Sequence, residues 1–134
     1  MWFLLDTNIL IDILTHDSAW YAWSRTTIEE CLMRGRLVIN QIVYAELAPT
    51  FETVEQLDGV LPPDDFERHN LPWEAAYLAG QCHQLYRARG GTARAPLNDF
   101  YIGAHATVMG FTLVTRDATR YRSYFPRLEI IAPN

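Results

Sequence analysis

The hydrophobic residues of this chain follow two patterns, short continuous apolar runs and longer stretches with helical periodicity. Runs of four or five mostly apolar residues predict buried strands, and these are Met1–Leu5, Leu37–Asn40, Phe111–Thr115 and Leu128–Ile131. Apolar residues spaced three and four apart predict helices between them, at Thr7–Leu14, Ser18–Arg34, through Tyr44–Leu47, Glu52–Leu61, Trp73–Arg89 and Asn98–Met109. Because strands alternate with helices, we expect a three-layer α/β/α sandwich around a mostly parallel central sheet.

The chain has the size and composition of one globular domain. It contains 134 residues, of which 49% are hydrophobic and 20% charged, and neither a repeat nor a linker interrupts it. We therefore expect residues 1–134 to form a single domain. No apolar run reaches the roughly 20 residues of a membrane span, and Asp6 comes too early for a signal peptide. We expect a cytoplasmic location without membrane contact.

The charged residues exclude several classes of function. All eleven basic residues are Arg, so the chain has neither a P-loop lysine nor a Schiff-base lysine. A net charge of −5 argues against binding nucleic acid mainly through a basic surface. It does not argue against a protein that reaches phosphates through a bound metal. Cys31 and Cys82 are expected to be reduced and buried, and the histidine spacing does not favour a zinc site.

Four carboxylates are expected at one edge of the predicted sheet. Asp6 follows the first strand directly, and Asp117 comes two residues after the strand that ends at Thr115. Glu46 lies in the helix after the second strand, and Asp99 lies at the start of the helix that leads into the third. Ligands of parallel sheets bind beyond the carboxyl ends of the strands. The topology therefore predicts that these side chains share one site.

Three of these residues also have an ordinary structural explanation. Asp6 and Asp99 could be helix N-caps, and Asp117 could be a turn residue. Glu46 is harder to explain in this way, because its neighbours are apolar and a buried carboxylate without a partner is costly. Together, four negative charges with no Lys to neutralise them require a bound cation. Carboxylate oxygens are the ligands that suit Mg²⁺ or Mn²⁺.

The same residues stand in four ordered motifs. They are Met-Trp-Phe-Leu-Leu-Asp6-Thr7-Asn8-Ile-Leu, Val-Tyr-Ala-Glu46-Leu, Pro-Leu-Asn98-Asp99-Phe-Tyr-Ile-Gly-Ala-His-Ala and Leu-Val-Thr115-Arg-Asp117. In this order they resemble the motifs of PIN-domain ribonucleases, most closely the VapC-type toxins of type II toxin–antitoxin modules, from Phe3 to about Ile131. The resemblance implies a PIN-like fold, Mg²⁺- or Mn²⁺-dependent endoribonuclease activity on RNA, a homodimer, and inhibition by a cognate antitoxin protein.

The resemblance also suggests a role for each polar residue. The metal-binding and catalytic residues would be Asp6, Glu46, Asp99 and Asp117. Bound metal would activate a water for attack on phosphorus and neutralise the developing charge. The residues expected to orient the carboxylates by hydrogen bonding, rather than to serve only in turns and caps, are Thr7, Asn8, Asn98 and Thr115. Possible RNA phosphate contacts, if they are not simply solvated side chains, are Arg87, Arg89, Arg94, Arg116 and Arg120.

The chain departs from the resembled family after its last motif. Many members carry another acid two or three residues after the final Asp, whereas Ala118, Thr119 and Arg120 follow Asp117 here. A second metal would therefore lack a ligand and face a positive charge. We expect one tight site, held mainly by Asp6 and Asp99.

Two other functions are compatible with an Asp at the end of the first strand. A phospho-aspartate protein, either a receiver-like domain or a haloacid-dehalogenase-like phosphatase, is one of them. However, the phosphatase motif needs a second Asp where Asn8 stands, and both classes rely on a Lys that is absent. A non-catalytic module that binds an Arg of a partner in its acidic pocket is the other. Metal-dependent turnover separates these alternatives.

Overall fold

The computed structural model describes residues 1–92 and 97–133. The strands in this part of the chain are β1 (Trp2–Leu5), β2 (Arg36–Ile39), β3 (Phe66–Arg68), β4 (Thr112–Val114) and β5 (Ile130–Ile131). They form one sheet in the order β3-β2-β1-β4-β5, and each neighbouring pair is parallel. Because all strands run the same way, their carboxyl ends lie along a single edge.

Seven α-helices flank this sheet in the described ranges. They are α1 (Thr7–Leu14), α2 (Tyr21–Arg34), α3 (Gln41–Leu47), α4 (Val54–Val60), α5 (Trp73–Ala88), α6 (Leu97–Met109) and α7 (Thr119–Tyr124). Helix α1 packs against α2 and α3, and α5 packs against α6. The expected α/β/α fold with a parallel central sheet is confirmed. None of the helices described has the length and apolar composition needed to cross a membrane.

The central strands are mostly apolar because helices cover both faces of the sheet. Phe3, Leu4 and Leu5 of β1 are completely buried, and the pairs Phe3–Thr112 and Leu5–Val114 set the register with β4. The backbone N–H of Asp6 continues this ladder, since it donates to the carbonyl of Val114 at 2.9 Å. The strand pairing therefore fixes the position of the residue that follows β1.

The predicted strands and helices are present, with differences at their ends. Ser18 was expected to cap α2, and this is wrong. The Asp17 carboxylate accepts from the backbone N–H groups of Ala19 and Trp20, and this extra turn delays the helix to Tyr21. Asn98 and Asp99 lie inside the first turn of α6, so neither is its N-cap. Cys31 and Cys82 are free and buried, as expected.

Strand β3 and helix α7 were not predicted from the sequence. Strand β3 has only three residues, which are partly exposed at the edge of the sheet. A three-residue edge strand is too short to give a recognisable alternation of polar and apolar residues. Helix α7 is also short, with six residues. It matters for the site because it begins two residues after Asp117.

A glycine allows α6 to lie close to the residue that ends α7. A Cβ built at Gly103 would stand 2.4 Å from Cε2 of Phe125, and Phe125 is itself buried. Glycine is unfavourable in a helix interior, and the close approach of Phe125 explains why a glycine stands at position 103. The contact between Gly103 and Phe125 holds together the helix that carries Asp99 and the helix that follows Asp117.

Candidate metal-binding site

A cleft of about 300 Å³ opens at the carboxyl-terminal edge of the sheet, beside the ends of β1 and β4. All four carboxylates expected at this edge line it. The complete lining is Asp6, Thr7, Asn8, Ile11, Glu46, Asp99, Asp117, Arg120 and Tyr121. We call this the acidic cleft.

Asp6 is the most deeply placed of the four acids, with 5% of its surface exposed. Its Oδ1 atom accepts from the backbone N–H of Thr7 at 2.7 Å, which caps α1. Its Oδ2 atom accepts from the hydroxyl of Thr115 at 2.8 Å and from that of Tyr121 at 2.9 Å. The carboxylate is therefore held by three donors from three separate parts of the fold.

Burial raises the pKa of Asp6 to about 6, and the negative charge of Asp99 adds to this effect. The hydrogen bonds from Thr115, Tyr121 and the Thr7 backbone act in the opposite direction. The loss of hydration thus outweighs three donors. A positive charge at this point would relieve the cost of keeping Asp6 ionised.

Asp99 reaches the cleft from the first turn of α6. Its Oδ2 atom accepts from Nη1 of Arg120 at 2.8 Å. Burial raises the pKa of Asp99, the Arg120 guanidinium opposes that rise, and the charge of Asp117 adds to it. Arg120 thus supplies a positive charge inside the cleft from the chain itself.

Glu46 and Asp117 lie nearer the solvent. Oε1 of Glu46 accepts from the Thr7 hydroxyl at 2.7 Å. Asp117 is exposed, and its Oδ1 atom accepts from the backbone N–H of Thr119 at 3.1 Å, at the start of α7. Asp117 therefore stabilises this turn, as the sequence allowed, and also lines the cleft.

Three of the four residues expected to orient the carboxylates contact the site by hydrogen bonds. Thr7 binds Glu46 and Thr115 binds Asp6, as described above. Asn8 donates from Nδ2 to the Thr115 hydroxyl at 3.4 Å. Asn98 is exposed and is not part of the cleft lining.

Tyr121 is a site residue that the sequence analysis missed. It is almost completely buried, and burial, together with the charges of Asp6 and Asp99, raises its pKa well above the usual range. Its hydroxyl therefore stays protonated and donates to Asp6. The only sequence signal was its place four residues after Asp117, one turn into a helix that was not predicted.

Asn40 was also missed, and it joins two of the helices that carry acids. Its Oδ1 atom accepts from the backbone N–H groups of Ile42 and Val43, which caps α3. Its Nδ2 atom lies 3.0 Å from Nδ1 of His105 on α6. Burial lowers the pKa of His105 to about 4, so the ring is neutral at pH 7 and Nδ1 accepts. Asn40 thereby relates the helix of Glu46 to the helix of Asp99.

The arginines suggested as phosphate contacts occupy different environments. Arg120 lines the acidic cleft. Arg116 pairs with the buried Asp12 at 3.1 Å. Arg87 lines a separate surface cavity near Gly91, and the guanidinium carbon of Arg89 lies 5.2 Å from the centre of the Tyr124 ring. Arg94 lies outside the described residues.

The donor set of the acidic cleft fits a divalent cation, although the side chains as placed do not yet enclose one. Within residues 1–92 and 97–133, no three His, Cys, Asp or Glu side chains lie close enough to hold an ion. Each acid instead contacts a donor from the chain, which is Arg120 in the case of Asp99. Oxygen ligands of this kind suit Mg²⁺ or Mn²⁺. An ion that used Oδ2 of Asp99 would have to displace Arg120.

Comparisons with known proteins agree with this architecture. The family model described as PIN domain matches residues 3–125. No curated protein matches the sequence. Among solved structures, VapBC2 from Rickettsia felis, bound to a DNA fragment from their promoter, has a chain that is 23% identical with a TM-score of 0.73, and the match covers 100% of both chains.

Two further structures show the same fold at similar identity. VapBC-1 from nontypeable Haemophilus influenzae has a chain 22% identical with a TM-score of 0.73, and 98% of each chain is covered. A toxin–antitoxin complex from Klebsiella pneumoniae has a chain 20% identical with a TM-score of 0.67, covering 98% of this chain and 97% of that chain. At these identities the likeness establishes the fold.

We predict that Asp6→Asn stabilises the metal-free protein above pH 6. The pKa of Asp6 is about 6 in the folded protein and about 4 in the unfolded chain. The unfolded chain therefore ionises first, and wild type loses stability as the pH rises from about 4 to 6. The variant has no carboxylate at this position and does not lose this stability. Its free energy of unfolding should therefore equal that of wild type near pH 4 and exceed it by about 1–3 kcal/mol above pH 6. Denaturation in EDTA across this pH range measures the difference.

The control for losing one negative charge is Asp64→Asn, which changes an exposed loop acid. A variant of Asp6 that is less stable than wild type at pH 7 would mean that its carboxylate acts mainly as the cap of α1.

Proposed function

Since this chain belongs to the PIN-domain family, we propose that it is a Mg²⁺- or Mn²⁺-dependent endoribonuclease and the toxin of a toxin–antitoxin pair. PIN domains are nucleases, and the acidic cleft is the observation that carries the proposal for this chain. It brings four carboxylates to one edge of the sheet, and the raised pKa of Asp6 supports the proposal, because a cation would favour the ionised form of this buried acid. We propose likewise a single domain over residues 1–134, a cytoplasmic location and a homodimer.

Asp6 and Asp99 are the main candidate ligands, with Glu46 or Asp117 assisting. When bound, the ion lowers the pKa of a coordinated water and neutralises charge on the phosphate oxygens. The chain's own residues prepare this site. Thr115 and Tyr121 orient Asp6 through its Oδ2 atom, and Thr7 orients Glu46. Hydrogen bonds of this kind commonly account for 10–100-fold in activity or metal affinity.

Arg120 is the candidate phosphate contact within the cleft. Its guanidinium is bound to Oδ2 of Asp99 at 2.8 Å, and an ion held by that oxygen would displace it. Released from Asp99, a guanidinium can bind a phosphate through two parallel hydrogen bonds. The same side chain can therefore balance the acids before RNA binds and contact the substrate afterwards.

The two other functions considered from the sequence differ in their present support. The phospho-aspartate alternative loses its basis, because the chain belongs to another family and Asn8, where the phosphatase motif needs an acid, binds Thr115 and the Arg116 backbone. The non-catalytic binding module remains an alternative. RNA cleavage that depends on metal is the result that decides between it and the nuclease.

We predict that Asp6→Asn and Asp99→Asn each reduce RNA cleavage at least about 100-fold while the fold is retained, because each removes a charge needed for the ion. Purified protein is incubated with mixed cellular RNA and Mg²⁺, Mn²⁺ or EDTA, and new 5′ ends are mapped. Asp64→Asn is the matched control outside the cleft. Cleavage that persists in EDTA, or in either variant at the wild-type rate, would contradict the proposal.

We predict one tight Mn²⁺ site per chain in the absence of RNA. A second ion would lack a ligand, since Arg120 stands where an acid would be needed and pairs with Asp99. Calorimetric titration measures the stoichiometry. Arg120→Asp should strengthen binding or create a second site, whereas Arg127→Asp, which makes the same charge change at an exposed position, should leave the number of sites at one. Two equal, tight sites in the unaltered protein would refute this expectation.

We propose that the partner is a cognate antitoxin that places an Arg in the acidic cleft. The ion pair of Arg120 and Asp99 supports this, because it places a guanidinium within the cleft. The solved structures that resemble this chain include a toxin–antitoxin complex. The physical basis is a charge-assisted hydrogen bond between Arg and a desolvated carboxylate.

We predict that a small protein encoded beside this one co-purifies with it and suppresses the growth arrest that it causes alone. The antitoxin should end in an apolar segment that bears an Arg, and replacing this Arg with Gln should weaken inhibition of cleavage. If expression of the chain causes no growth arrest and no neighbouring gene encodes a partner, the toxin assignment fails, even where RNA cleavage is observed.

A further inference from the structure

The segment that carries Asp117 is held by one face of α1. We call residues 115–118 the Asp117 loop. Asn8 and Asp12 are one helical turn apart on α1, so their side chains lie on the same face. Both contact this loop, and they do so in different ways.

Asn8 holds the backbone of the loop. Its Oδ1 atom accepts from the backbone N–H of Arg116 at 3.2 Å, and its Nδ2 atom donates to the Thr115 hydroxyl. That hydroxyl also accepts from the backbone N–H of Asp117 at 3.2 Å and donates to Asp6. The loop backbone is thereby connected to the most buried acid of the cleft.

Asp12 forms an ion pair with the side chain of Arg116, although the contact does not have the geometry of a hydrogen bond. It is completely buried, and its Oδ2 atom accepts from the hydroxyl of Ser24 on α2 at 2.8 Å. The same oxygen lies 3.1 Å from Nε of Arg116. The guanidinium carbon of Arg116 stands 5.6 Å from the centre of the Trp20 ring. The arginine therefore reaches from the loop to α1 and to the residue just before α2.

Because Asp12 is buried, its ion pair with Arg116 limits the movement of the Arg116 side chain. A buried carboxylate is costly unless a cation and hydrogen bonds compensate it, and Arg116 is the cation paired with it in the described part of the chain. Withdrawal of the Arg116 side chain would leave that charge uncompensated. A buried ion pair adds little net stability compared with apolar residues, but it opposes any arrangement that separates its partners. This favours a role in fixing the geometry of the loop.

We propose that Asp12 is a positioning residue, which fixes the Asp117 loop relative to Asp6 by holding the Arg116 side chain. Arg116 then acts within the protein and not as an RNA contact. The effect of this positioning on catalysis rests on the proposed nuclease activity. The effect of Asp12 on the position of the loop does not depend on that activity.

The test compares wild type with Asp12→Asn, which keeps the shape of the side chain and removes its charge. The control is Glu29→Gln, which breaks the exposed ion pair with Arg25 on α2. Three measurements are made on each protein. They are thermal unfolding for the melting temperature, amide hydrogen exchange of a peptide covering residues 115–118, and kinetics of RNA cleavage with Mg²⁺ for kcat and KM.

For Asp12→Asn we expect exchange in the loop to be about 10-fold faster and kcat to fall about 10–100-fold, with KM within about threefold of wild type. Arg116→Lys, which retains the charge, should recover part of kcat relative to Arg116→Gln. Glu29→Gln should match wild type in all three measurements. If Asp12→Asn does not fold, the double variant Asp12→Asn/Arg116→Gln, which leaves no unpaired charge, replaces it with the same expectations.

Two results would overturn the proposal. One is unchanged exchange in the loop of the folded variant together with unchanged kcat. The other is a rise in KM at constant kcat for Arg116→Gln, which would make Arg116 an RNA contact. If wild type itself does not cleave RNA, the nuclease proposal fails, and the exchange measurement alone decides whether Asp12 positions the loop.

Discussion

The cost of burying the Asp6 carboxylate is the constraint on which the rest of the site depends. The strand pairing places Asp6 directly after β1, and its backbone is hydrogen-bonded to Val114, so the residue cannot move towards solvent. Burial then raises its pKa to about 6 despite three hydrogen bonds. Thr115, Tyr121 and the Thr7 backbone reduce this cost without removing it. A cation near this acid would lower the remaining cost of its ionised form.

Arg120 meets part of this need from within the chain. It compensates Asp99 rather than Asp6, so it lowers the repulsion between the two acids and leaves the most buried one without a cationic contact among the described residues. An arginine is a weaker competitor for this place than a divalent ion, because it carries one charge on a long, flexible side chain. Under the proposed function, the same cleft is therefore stable without an ion and still able to bind one.

The sequence was sufficient to predict features that depend on local patterns. The buried strands, the order of strands and helices, and the shared edge of Asp6, Glu46, Asp99 and Asp117 follow from apolar runs and from the geometry of parallel sheets. The partners of these acids could not be predicted in this way. Tyr121 and Arg120 lie on a six-residue helix whose position depends on the packing of Phe125 against Gly103. Asp12 offered a signal of the kind used for Glu46, an acid among Ile and Leu residues, but its partner is more than one hundred positions away.

Helix α1 is the common reference for these distant segments. Asp6 at its N-terminus binds Thr115 and Tyr121, Thr7 binds Glu46, and Asn8 and Asp12 hold the Asp117 loop. A helix is stiff over its eight residues, so contacts made from it fix these segments relative to one another as well as to the sheet. The acids themselves need only to lie at the carboxyl-terminal edge of the sheet. Residues of α1 other than these acids, namely Thr7, Asn8 and Asp12, contact Glu46 and the Asp117 loop, and changes there should alter the site without changing any of its four carboxylates.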